Sequence, residues 1–213
     1  MSAGEQAALQ RAVELAGAGE RRIVGVAGPP GAGKSTLAQR VVAELGPVAA
    51  YLPMDGFHLS NTELERLGSR ERKGAIDTFD GAGFVSLLRR VRTEPGTVYA
   101  PTFDRSLEEP IAGSIPIPDS AQLVVVEGNY LLVDSSPWSE IPALCDEVWY
   151  AEMDEETRLN GLIARHVLFG MAPDEAEEWA MAVDQRNAEL VQEGKHRADL
   201  VVQVEIAPQP ERR

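Results

Sequence analysis

Apolar residues recur along this chain in two rhythms. Residues 3–18 place Leu9, Ala12, Val13 and Ala16 at helical spacing ahead of Gly17 and Gly19, which predicts a short amphipathic helix packed on a sheet. RIVGVAG at 22–28 is instead a β-branched run closed by glycine, and TLAQRVVAEL from Thr36 returns to helical spacing until Gly46. PVAAYLPM from Pro47, AQLVVVEGNYLL from Ala121, CDEVWYAE at 145–152 and RADLVVQVEI from Arg197 read as further strands, with TVYAPTFD from Thr97 an extended segment. Helices are predicted over AGFVSLLRRVRTE from Ala82, DEETRLNGLIARHVLFG from Asp154 and PDEAEEWAMAVDQRNAELV from Pro173. Strands without polar alternation belong to a parallel sheet covered on both faces. Strand followed by helix throughout then predicts a doubly wound α/β fold.

Composition narrows the function classes. The 213 residues, 44% of them hydrophobic, suit one domain over 1–213 with a full core, and APQPERR at 207–213 reads as a solvated tail. A net charge of −14 argues against nucleic acid or an anionic membrane as partner. A polyanion would have to be held locally. The one cysteine, Cys145, cannot form an internal disulfide, and the N-terminal stretch lacks a signal-peptide core. These features predict a cytoplasmic protein, and no apolar run approaches the roughly 18 residues of a membrane span.

GPPGAGKST, Gly28 to Thr36, fits G-x-x-x-x-G-K-[ST] between a predicted strand and a predicted helix. Gly28, Gly31, Ala32 and Gly33 would turn backbone N–H groups around a phosphate, the helix start with Ser35 and Thr36 would add partial positive charge, and Lys34 would reach the outer phosphates. ATP is the expected ligand, with Ser35 a ligand to Mg2+. No Asn-Lys-x-Asp guanine motif is present. Glu127 ends the apolar run LVVVE, where P-loop proteins carry the carboxylate that orients magnesium or its waters.

PMDGFHLSN, from Pro53, puts Asp55, His58 and Asn61 directly after the second strand. In a doubly wound sheet, side chains at that point face the ligand crevice, so Asp55 is placed to meet a phosphate acceptor. The phosphate loop, DGFH after the second strand and EGNY after a later one resemble the P-loop kinases of the uridine kinase, pantothenate kinase and phosphoribulokinase group. The RKGAIDTFD and YAPTFDRSLEEP stretches are similar to those of bacterial nucleoside/nucleotide kinase-family, fructokinase-like proteins. The resemblance covers about residues 28–205. It implies a three-layer α/β/α kinase with a helical lid near 154–172, Asp55 as base or orienting carboxylate for an acceptor hydroxyl, and Glu127 with Ser35 serving magnesium.

The resemblance also implies roles for residues whose bland alternatives stay open. Lys73, in RKGAIDTFD, and Asn129, in EGNY, would bind the acceptor, or Lys73 would belong to a solvated loop. Arg105 would contact acceptor or transferring phosphate, or form a surface pair with Asp104. Arg158 and Arg165, seven apart on one helix face, lie in the lid region with Gly161 between them as a flexing point; Arg165 is preferred for offsetting charge on the transferring group. His196 and Arg197 would border adenine, or sit in a plain surface loop. His58 would bind acceptor, or be satisfied by local backbone. The acceptor is a nucleoside, a sugar or a pantothenate-like molecule. The rival reading is a nucleotide-switched binding protein or slow ATPase without acceptor chemistry. PWSEIPALCDEVWY, from Pro137, is expected to be exposed, as a core edge or as the contact of a homodimer.

Overall fold

The computed structural model describes residues 2–205, and the 207–213 tail therefore lies outside the described residues. Helix α1 (Ala3–Ala16) starts from a capping box in which the Ser2 side chain accepts from the Glu5 amide and the Glu5 carboxylate accepts from the Ser2 amide. Strand β1 (Arg22–Ala27) and helix α2 (Lys34–Leu45) flank the glycine-rich loop. Then come β2 (Ala49–Pro53), the short α3 (Asn61–Arg66), α4 (Gly81–Thr93), and the strands β3 (Val98–Asp104), β4 (Glu109–Ile117) and β5 (Leu123–Glu127). The chain continues through α5 (Ile141–Leu144), β6 (Glu147–Glu152), α6 (Glu155–Leu168), α7 (Pro173–Trp179), α8 (Gln185–Glu193) and β7 (Leu200–Gln203).

Five strands pair in parallel in the order β2-β5-β1-β6-β7. Their successive side chains point to opposite faces, and both faces are covered. Val24, Val26, Val125 and Trp149 pack under α1 and α2, while Ile23, Val124, Val126, Val148 and Tyr150 pack with residues of α4, α5 and α8. This is the three-layer α/β/α arrangement expected from the sequence. β1 lies between β5 and β6, two strands reached by chains running to opposite sides of it, so the crevice of the sheet opens at its carboxyl end.

Four local expectations are corrected. The alternation of strand and helix is not unbroken: β3 and β4 form a separate antiparallel hairpin, with Val98 opposite Ile117 and Asp104 opposite Glu109. Pro101, Pro110 and Pro116 lack the N–H that a central ladder needs, which suits these strands to a two-stranded ribbon. The run through EGNYLL is strand only as far as Glu127, after which Tyr130, Leu131 and Leu132 turn into the core. The single helix expected from Pro173 is α7, a π-helical turn over Ala180–Asp184, and α8. The segment from Pro137 is not an exposed edge, because Trp138, Ile141, Val148, Trp149 and Tyr150 are all buried.

Candidate active site

The loop after β1 owes its shape to its glycines. Gly28 has φ of 146°, and a Cβ there would stand 2.5 Å from the carbonyl oxygen of Ala151 on β6, so any other residue would drive the loop off its neighbouring strand. Gly33 precedes α2 in the left-handed conformation, and no side chain caps that helix N-terminus. The first amides of α2 are therefore left facing the loop, an arrangement that favours anions. Lys34 is buried and donates from Nζ to the carbonyl oxygen of Pro29 at 2.9 Å. Burial pushes its pKa down to about 8, against the pull of Glu127 and Asp55. Ala32 is fully buried, and Ser35 and Thr36 occupy the first turn of α2.

Glu127 closes β5 at 4% exposure, and Tyr51 on the neighbouring β2 donates to its Oε1 at 2.9 Å. Burial, then the field of Asp55, raises the Glu127 pKa, while Lys34 and the Tyr51 and Ser35 hydroxyls oppose the rise. A buried carboxylate short of positive charge, ringed by hydroxyl oxygens and near a second carboxylate, suits a hard divalent cation that takes oxygen ligands. Asp55 sits in a tight turn after β2. Its Oδ2 accepts from Arg105 Nη2 at 2.6 Å, and its backbone carbonyl lies 2.8 Å from His58 Nδ1. A carbonyl only accepts, so that nitrogen carries the proton and Nε2 is left as an acceptor in neutral His58. Burial lowers the pKa of His58 and favours the neutral ring, which lies between Phe79 and Phe103 at centroid distances of 4.0 and 4.8 Å.

Asp55, His58, Lys73, Arg105, Asn129 and Arg165 all line one cleft of about 630 Å³. The structure thus brings together the acceptor-side residues named from the sequence and the lid arginine. The two lid arginines part company. Arg165 faces the cleft, whereas Arg158 is buried, donating to the Pro30 carbonyl at 3.1 Å and to Gln185 at 2.5 Å, so it braces the phosphate loop. His196 and Arg197 do not join them: His196 Nδ1 turns back to the Glu193 carbonyl, Arg197 pairs with Asp134 at 3.0 Å, and neither lines the cleft. Asp104 caps its own turn through the amides of Ser106 and Leu107 and is not the partner of Arg105.

Sequence reasoning missed several members. Tyr51 reads as strand filler, and only its register beside β5 brings its hydroxyl to Glu127. Phe103 is likewise a strand residue, yet Lys73 Nζ and the Arg105 guanidinium stand 4.8 and 5.1 Å from its ring centre. Asp184, in the π-helical turn, meets His166 of α6 at 2.8 Å, and both line the cleft. The signal available for this pair was a helical run of 19 residues from Pro173, longer than its surroundings, with an aspartate on its apolar side.

A phosphate loop on β1, a carboxylate ending the adjacent strand and a cleft across the crevice define a P-loop kinase of the α/β class. Residues 23–207 match the phosphoribulokinase / uridine kinase family, and the chain belongs to it. It is 33% identical over 206 residues to a candidate uridine kinase, C227.14, of Schizosaccharomyces pombe, covering 91% of this chain and 87% of the relative. It is also 34% identical over 189 residues to the uncharacterised protein YggC of Escherichia coli K12, covering 86% and 78%. Among solved structures, a candidate fructose transport system kinase from Silicibacter sp. TM1040 superposes with a TM-score of 0.83 at 33% identity, covering 94% of this chain and 98% of that one. Family membership implies ATP with a divalent metal, and no described helix is long and apolar enough to cross a membrane.

Proposed function

We propose that this chain is an ATP- and magnesium-dependent kinase that transfers the γ-phosphoryl group to a hydroxyl of a small metabolite. The observation that carries the reading is the convergence of Lys34, Glu127 and Asp55 at the carboxyl end of β1, β5 and β2, with an open cleft beside Asp55. A nucleotide switch or slow ATPase needs the first two groups but has no use for an acceptor-facing carboxylate.

The roles follow from position. Loop amides and Lys34 hold the β- and γ-phosphates, and the field of the α2 N-terminus adds to theirs. Ser35 and Glu127 would hold the magnesium ion, which when bound neutralises part of the phosphate charge. Arg105 occupies Asp55 Oδ2, leaving Oδ1 for the acceptor hydroxyl. That hydroxyl gives its proton to Asp55 as its oxygen bonds to the γ-phosphorus, and the bond from that phosphorus to the bridging oxygen breaks, releasing ADP. Arg165 and Arg105 offset charge around the transferring group. The neutral imidazole of His58, fixed through the Asp55 carbonyl, offers Nε2 to the acceptor.

The test is ADP release with ATP and magnesium, with and without pools of sugars, polyols, nucleosides and pantothenate. Release should accelerate with one acceptor class, and should vanish in Lys34→Ala and in excess chelator while the fold persists. A turnover indifferent to every acceptor would make the protein an ATPase or a switch.

A further inference from the structure

Of the 20 lysines and arginines, set among 34 carboxylates, most that the structure describes are paired. Lys34, Lys73, Arg165 and Arg186 have no carboxylate within 4.0 Å among the described residues. Two of these, Lys34 and Arg165, are the cations assigned above to nucleotide phosphates. Lys73 is held on the other side of the cleft. Its ammonium donates to two neutral acceptors, Asn61 Oδ1 at 2.7 Å and the Glu108 carbonyl, and rests 4.8 Å from the Phe103 ring centre. Arg105 flanks the same ring, and Arg70 also lines the cleft.

This wall is arranged against its own electrostatics. Desolvation lowers the Lys73 pKa, and Arg70 and Arg105 lower it further, with only the more distant Glu108 and Glu109 carboxylates in opposition. A partly desolvated cation beside two others is costly unless a counter-charge arrives. Three N–H donors on an ammonium, two of them used, leave one for a ligand. A neutral sugar or nucleoside would leave that charge uncompensated, and lid closure would add Arg165 to the same desolvated space. Asp55 repels an anion at the reacting end, so the negative group of an acceptor must lie at the Lys73 end, with its hydroxyl toward Asp55.

We propose that the acceptor is a small hydroxylated anion, a carboxylate or a phosphate monoester, whose negative group is bound by Lys73 with Arg105 and Arg70 alongside. This inference rests on the kinase reading and sharpens its acceptor.

Two measurements on the full chain decide it. The first compares matched acceptors in ATP- and magnesium-dependent ADP release: glycerol, D-glycerate and glycerol 3-phosphate, then ribose, ribonate and ribose 5-phosphate. An anionic member should exceed its neutral parent in kcat/KM by at least roughly tenfold, and the carboxylate and phosphate arms identify which anion is read. Lys73→Met should raise the KM of that acceptor by about 10- to 100-fold, the worth of a charge-assisted hydrogen bond, with kcat and the KM for ATP nearly unchanged. Lys73→Arg should recover most of the loss. A preferred neutral parent, or an unchanged KM in Lys73→Met, overturns the proposal while leaving the kinase intact. Should no member of the panel react, calorimetric binding of inorganic phosphate to the ADP-saturated protein decides: weaker binding in Lys73→Met upholds the anion site, and equal or absent binding in both proteins refutes it. Failure of the kinase reading shows separately, as loss of ATP binding or of acceptor-dependent turnover with Lys73-dependent phosphate binding retained.

Discussion

Asp55 carries two loads, a proton and an ion pair. Its Oδ2 already bonds Arg105, and both side chains are partly exposed, so the pair itself adds little stability. Its value lies in orientation, because Arg105 fixes the carboxylate plane and leaves the second oxygen for the acceptor. Asp55→Asn keeps the size and one acceptor oxygen but removes the charge. We expect kcat to fall by roughly 10²–10⁴, the range for a positioned base, with ATP affinity close to wild type; both are measured on one purified variant. Near-normal turnover would reduce Asp55 to a turn residue, and lost ATP affinity in a folded protein would move it to the metal. Lys34, Glu127 and Asp55 were all legible from the sequence, because each stands at a position the strand pattern marks. Tyr51 and Phe103 were not, since a hydroxyl or ring inside a strand acquires its role only from the neighbour that register supplies.

Between elements, the contact that builds the acceptor side is the approach of the β3–β4 hairpin to the turn after β2. Gly56 makes it feasible: a Cβ there would stand 2.4 Å from the Pro101 carbonyl oxygen. Such a clash is with backbone and cannot be relieved by a rotamer. Gly56→Ala should therefore push the hairpin outward, separating Arg105 and Phe103 from Asp55 and His58. Overpacking of this kind costs about 1–3 kcal/mol, so the urea midpoint should drop, acceptor KM should rise and nucleotide affinity should hold. Unchanged stability and kinetics would show that the hairpin does not shape the site. This hairpin was the part of the fold least readable in advance. TVYAPTFD looks extended by itself, but the pairing of 98–104 with 109–117 is a non-local choice, and EEPIAGSIPI carries prolines and a glycine that mask it as loop.

For the whole molecule, the sheet and its two helical layers were readable because buried parallel strands are continuously apolar and each is bounded by a turn signal. What the chain does as a charged body also follows. A net charge of −14 repels an approaching magnesium–ATP complex at long range, although the cleft cations attract it nearby. Raising ionic strength from about 0.01 M to about 0.15 M shortens the screening length from about 30 Å to about 8 Å, which removes the first effect before the second. The association rate for a fluorescent ATP analogue, followed by stopped flow, should rise with salt over that range. A falling rate would mean that the cleft cations dominate steering.

The central position of β1 bears on the order in which the protein is made. GPPGAGKST leaves the ribosome within the first 36 residues, yet Gly28 is seated against Ala151 of β6, and Pro30 is held by Arg158, 128 residues further along the chain. A nascent chain halted before Glu147 possesses every residue of the phosphate loop and neither of the partners that shape it. Nucleotide capture is thereby deferred until translation has passed the lid helix, and an unfinished polypeptide cannot sequester ATP in a half-built site.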